Sequence, residues 1–108
     1  MSQDSSILPQ LMAVLEDRKT QRPAGSYTVQ LFDGGADAIG AKVVEEAGEL
    51  IEAAGGENRE QVVHEAADLV YHTLVMMAHC GVSLADLEGE LARRFGTSGL
   101  EEKASRKD

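Results

Sequence analysis

The stretch from Glu45 to Asp68 reads EEAGELIEAAGGENREQVVHEAAD. It places Glu45, Glu46 and Glu49 within about one helical turn. After the Gly55-Gly56 break it places Glu65 and Asp68 three residues apart. Two helices joined by so short a turn run antiparallel, which would bring five carboxylates to one place. Carboxylates about 5 Å apart repel by about 3 kcal/mol at an effective dielectric of about 20. Several such pairs stay ionised together only around a cation. An all-carboxylate donor set suits hard divalent ions, Mg²⁺ above all, and no cysteine-rich spacing offers a soft site instead. Glutamates on a helix ordinarily form a solvated face. The paired pattern, E-E-x-x-E on one helix and E-x-x-D on the next, sets this stretch apart.

The elements that must position these groups belong to a chain of 108 residues, the size of one domain. Its hydrophobic content is 43%, enough for a core, yet it has only two Tyr and two Phe, so the core is built from Ala, Val, Leu, Ile and Met. No stretch has the length and apolarity to span a bilayer. The opening MSQDSS has no basic n-region, and the single Cys80 forms no internal disulfide. A cytoplasmic protein is expected. The net charge of −9 argues against nonspecific nucleic-acid binding. Such a protein can still hold a phosphate ester if metal ions supply positive charge. Basic residues cluster at the ends: Arg18, Lys19 and Arg22 early, then Arg93, Arg94, Lys103, Arg106 and Lys107.

Helical spacing of Ile7, Leu8, Leu11, Met12 and Leu15 predicts a first helix over about 6–19, with Ser5 or Ser6 as N-cap and Pro9 in its first turn. A loop, TQRPAG, follows. SYTVQLFDGG has β-branched and aromatic content, but a lone strand among helices has no partner. A short helix is expected instead, capped by Ser26, with Tyr27 and Leu31 on one side and Gly34-Gly35 ending it. Asp37 opens the next helix, to about Ala54. Its apolar stripe is Val43, Val44, Ala47, Leu50, Ile51 and Ala54, with Glu45, Glu46 and Glu49 on the other side. Gly48 would let a neighbouring backbone approach.

Asn58 and Gln61 predict a capping box for a helix running to about Cys80 and stopping at Gly81. Its wide apolar arc (Val62, Val63, Ala66, Ala67, Leu69, Val70, Leu74, Met77) suits a central helix or a subunit interface. Its polar stripe holds Glu65, Asp68, His72 and His79. A carboxylate-dominated Mg²⁺ site does not want imidazole, so His72 is read as a hydrogen-bond donor near the site and His79 as a surface residue. Ser83 and Asp86 signal a last helix to about Arg94, with Leu84, Leu87, Leu91 and Phe95 as its stripe. Residues 96–108, GTSGLEEKASRKD, are polar and charged and read by composition as a basic tail beyond a 1–95 domain.

Four segments carry a resemblance: RPAGSYT at 22–28, KVVEEAGE at 42–49, EAADLVYH at 65–72 and GTSGLEEKASR at 96–106. Together they resemble the phosphoribosyl-ATP pyrophosphatase family, within the wider MazG-like group of all-α nucleoside-triphosphate pyrophosphatases. The glutamate pattern is shared across the group; the SYT, ADLVYH and SGLEEKASR segments point to the histidine-biosynthesis member. Ala41 stands where that family often carries a first lysine, leaving Lys42 alone.

The resemblance implies an antiparallel bundle of four to five helices completed by homodimerisation. It implies Mg²⁺-dependent hydrolysis of phosphoribosyl-ATP to phosphoribosyl-AMP and pyrophosphate, with Mn²⁺ able to substitute. It assigns Glu45, Glu46, Glu49, Glu65 and Asp68 to the metal, with Glu46 and Glu49 as candidates to take a proton from water. Lys42 would reach a phosphate oxygen, and Arg22, Ser26, Tyr27 and Thr28 would meet the phosphate and ribose groups. Arg94, Lys103 and Arg106 would close over the triphosphate, from this subunit or its neighbour. No nucleic acid or membrane partner is implied. Two other readings stand beside this one: a house-cleaning pyrophosphatase for ordinary or damaged nucleotides, and a non-catalytic helical dimerisation module with a soluble acidic face.

Overall fold

The computed structural model describes residues 6–95, and every element in it is helical: α1 (Ile7–Gln21), α2 (Tyr27–Ala54), α3 (Arg59–His79) and α4 (Leu84–Arg94). Local chemistry sets most of the boundaries. Ser26 accepts the Val29 N–H at 3.3 Å, and Asn58 Oδ1 accepts from Glu60 and Gln61 at 3.0 and 3.2 Å. Ser83 and Asp86 close a full capping box. At the end of α3, Gly81 takes φ 75°, with Val82 N–H donating to Met77 O and Gly81 N–H to Ala78 O. This is a Schellman close, which favours glycine because a Cβ is strained at positive φ.

The expected break at Gly34-Gly35 is present inside α2. Gly35 has φ 73° and ψ −166°, far from helical values. A Cβ on Gly34 would lie 2.5 Å from the Ala38 side chain. The chain reverses here. Tyr27 meets His72 and Phe32 stacks on His79, so the first arm, to Gly34, runs in the same sense as α3. Gly40 lies beside Met76, and Glu49 lies beside Glu65, so the second arm runs against it. A straight helix would hold Tyr27 and Lys42 about 22 Å apart; the reversal brings the first arm back alongside the second.

Met12 and Leu15 of α1, Leu31, Phe32 and Ile39 of α2, Leu74, Val75 and Ala78 of α3, and Leu84 of α4 form one core. Several sequence expectations change here. Val44 and Ile51 are 74% and 73% exposed, while Glu46 is turned inward at 6%. The second arm packs on α3 through the side that carries Glu46, so part of the apolar stripe is left outward. Val63 and Val70 of α3 are exposed too. Ile7 and Leu8 lie outside the α1 core, and the α4 stripe packs at Leu84 and Leu87 but leaves Leu91 and Phe95 in solvent.

Ser6 is the N-cap of α1, but its side chain makes no capping bond, and the helix extends past Lys19 to Gln21. Gly48 admits no close neighbour: nothing among the described residues lies within 4 Å of a Cβ there. No described helix is long and apolar enough to cross a membrane.

Candidate metal centre

Glu46 and Glu49 on the second arm of α2 and Glu65 on α3 each offer one oxygen within 4.8 Å of the others. Glu46 and Glu65 are 6% and 8% exposed, and Oε1 of each is buried without a hydrogen-bond partner. A buried, unpartnered carboxylate oxygen is costly, because the group has lost water and gained no donor. The second oxygens are engaged. Gln61 Nε2 donates to Glu65 Oε2 at 2.6 Å, and Lys42 Nζ lies 3.9 Å from Glu46 Oε2. The Glu49 carboxyl group is pushed up to about 7, first by desolvation and then by the charges of Glu46 and Glu65. Two orphaned oxygens and one reluctantly ionised carboxyl form a donor set that Lys42, shared between Glu45 and Glu46, does not neutralise. A hard divalent cation fits it.

The other two expected carboxylates stand apart from this trio. Asp68 groups with Glu65 and His64, its Oδ2 3.3 Å from His64 Nε2. Glu45 is exposed and pairs with Lys42 at 3.2 Å. The five therefore do not meet at a single point: three face one another, Asp68 joins through Glu65, and Glu45 lies on the Lys42 side.

The phosphoribosyl-ATP pyrophosphohydrolase family model matches residues 8–95. The chain belongs to that family. Curated relatives named phosphoribosyl-ATP pyrophosphatase agree. The protein from Rhodopirellula baltica is 54% identical over 106 residues, covering 94% of this chain and 88% of its own length. Those from Geobacter sulfurreducens and Paramagnetospirillum magneticum are each 49% identical, covering 100% and 98% of this chain and 100% and 97% of their own.

In this pyrophosphohydrolase-family chain, the remaining predicted site residues divide by position. Tyr27 stands at the start of the first arm. Its hydroxyl lies 2.9 Å from His72 Nε2, and burial raises its pKa, with Lys42 opposing and Glu46 and Glu45 adding to the rise. His72 is buried, with Nδ1 2.9 Å from the Asp68 carbonyl oxygen. A carbonyl only accepts, so Nδ1 donates to it, and Nε2 is left to pair with the Tyr27 hydroxyl. His72 thus donates to the backbone of a candidate ligand. Lys42 is held by Glu45, and that hydrogen bond raises its pKa.

Thr28 is buried and bonds the Tyr71 hydroxyl at 2.7 Å, an α2–α3 tie inside the fold. Ser26 acts as a cap. Arg22, at φ 52°, ends α1 and pairs with Asp33. Arg94 Nε donates to Glu90 Oε2 at 2.9 Å. Lys103 and Arg106 lie outside the described residues.

Other expectations are corrected. Gln61 does not close a box with Asn58; its amide turns forward to Glu65. His79 is half-buried and stacks on Phe32 at 6.5 Å between ring centroids. His64, Gln61 and Tyr71 were not legible as site-related residues. The i,i+4 spacings His64–Asp68 and Gln61–Glu65 were the available signals for the first two; Tyr71 had none.

Proposed function

We infer that this chain hydrolyses phosphoribosyl-ATP to phosphoribosyl-AMP and pyrophosphate, an early step of histidine biosynthesis, and that it does so with Mg²⁺. One observation carries the metal part of the reading: two carboxylates, each more than nine-tenths buried, come together across α2 and α3, and each keeps an oxygen without a partner. Glu46, Glu49 and Glu65 would hold the ion, with Asp68 adjoining through Glu65 and Glu45 on the Lys42 side. When bound, Mg²⁺ supplies charge neutralisation for the phosphate oxygens and orients a water for in-line attack.

The protein's own groups do the rest. Glu49, whose proton is held to about pH 7, is the carboxylate best placed in the trio to exchange one with water. Glu46 is the other candidate. Lys42, beside both Glu45 and Glu46, presents its ammonium to a phosphate oxygen. Tyr27, half-exposed and fixed by His72, offers its oxygen at the same edge. Arg94, Lys103 and Arg106 serve the triphosphate from the C-terminal side.

We also propose a cytoplasmic homodimer with no nucleic-acid or membrane partner. Val44, Ile51, Val63 and Val70 are outward-facing apolar residues on α2 and α3 that a second copy would cover. Pyrophosphate release from phosphoribosyl-ATP, measured with and without Mg²⁺ and beside dCTP and dUTP, tests the function. Mg²⁺-dependent turnover that favours phosphoribosyl-ATP is expected. Preference for dCTP or dUTP would assign the chain to nucleotide house-cleaning, and turnover unaffected by chelation would remove the metal.

A further inference from the structure

The two buried glutamates are built alike. Each has one oxygen buried without a partner and the other engaged by a side chain four residues earlier on its own helix. For Glu46 that side chain is Lys42, at 3.9 Å. For Glu65 it is Gln61, at 2.6 Å. The spacing places donor and carboxylate on the same helix face. Lys42 is shared with Glu45, so its hold on Glu46 is the looser one. Gln61 is itself fixed at the start of α3, its backbone N–H donating to Asn58 Oδ1 at 3.2 Å. A neutral amide orients a carboxylate without bringing a charge that would repel a cation.

We propose that Gln61 is a positioning residue for the metal centre: by binding Glu65 Oε2, it leaves Oε1 as the single oxygen that Glu65 presents to a divalent ion. This rests on the metal reading above and adds a residue to it. Partners that orient ligating carboxylates typically account for about 10–100-fold in metal affinity. Gln61 lies in the exposed first turn of α3, so replacing it removes the hydrogen bond with little disturbance to the core.

The test compares wild type with Gln61→Met, which keeps length and helix propensity but donates nothing. Mn²⁺ affinity of the metal-free proteins is measured by calorimetry, with the Mn²⁺ EPR spectrum and the metal-free Tm recorded beside it. The expected result is a Kd for Mn²⁺ about tenfold weaker in the variant, with a changed EPR line shape. Activity lost at limiting Mg²⁺ should return as Mg²⁺ is raised. A lower Tm with unchanged Mn²⁺ affinity makes Gln61 merely structural and overturns the proposal. Gln61→Ala is measured in the same way should methionine prevent folding; wild-type affinity in either folded variant is decisive against it. A wild type that binds no Mn²⁺ sinks the metal reading itself and this inference with it.

Discussion

Glu49 and Glu90 are the same side chain on helices of one small molecule, yet their carboxyl groups shift in opposite directions. Glu49 is pushed up to about 7, and Glu90 is pulled down to about 2. On α4, Glu90 receives hydrogen bonds from Arg93 at 2.6 Å and Arg94 at 2.9 Å, so its charge is already matched. On α2, Glu49 is partly desolvated and faces Glu46 and Glu65. The fold supplies cations where it needs only a stable helix end, as Arg93 and Arg94 also suit the C-terminal dipole of α4. At the α2–α3 cluster it sets a single lysine, Lys42, which Glu46 shares with Glu45, against several carboxylates. That contrast is the physical argument for a cation from outside the chain.

The largest expected effect comes from removing a buried ligand. Glu65→Gln or Glu46→Gln should lower the rate of phosphoribosyl-ATP hydrolysis by ~10²-fold or more, equivalent to about 3 kcal/mol of lost stabilisation. Metal-free stability should stay level or rise, because a like charge leaves a crowded site. A steady-state assay and thermal melts check both halves. A variant that loses stability but keeps its rate would erase the contrast with α4. Next, Mg²⁺ at about 100 times its Kd should stabilise the protein by about 2.7 kcal/mol. For a domain of this size, that raises Tm by about 10 °C or more. Scanning calorimetry with and without chelator reads it; no shift would leave the cluster as a solvated face.

A smaller effect follows from pH. Glu49 has a folded pKa above the ordinary 4.5, so the unfolded chain releases this proton first. Its contribution to metal-free stability is fully present below about pH 4.5 and is lost as pH rises toward about 7. Because Mg²⁺ competes with that proton, apparent Mg²⁺ affinity should climb across the same window and level off above about 7. Titrations from pH 5 to 8 in buffers of different ionisation heat would show the released proton. A flat profile would mean that Glu49 is not in the donor set. The smallest effect is expected at Glu90→Gln, where two exposed pairs are lost: Tm should fall by no more than about 5 °C and Mn²⁺ affinity should be unchanged.

Much of the fold was legible because its punctuation is local. Ser26, Asn58 and Ser83 cap helices through their own side chains, and Gly81 closes one through its backbone freedom. Gly34 and Gly35 marked a break that the structure turns into a reversal. The glutamate spacings brought five carboxylates to one place, of which Glu46, Glu49 and Glu65 are the three that group together. What periodicity could not show was which face of the second arm points inward. It tells which residues share a face, but not what that face packs against. Hence Val44 and Ile51, read as part of the apolar stripe, are exposed, while Glu46, on the opposite side, is buried. Contacts such as Thr28–Tyr71 and Phe32–His79 join residues more than 40 positions apart, and nothing local encodes them. Gln61 was read only as a cap partner of Asn58, and its amide instead binds Glu65, one turn on.

The most direct measurement is anomalous diffraction from crystals of the protein equilibrated with Mn²⁺. A peak between α2 and α3, within coordination distance of Glu46, Glu49 and Glu65, is the predicted result. Mn²⁺ bound only elsewhere, with those three side chains unchanged and unliganded at saturating metal, would contradict the account.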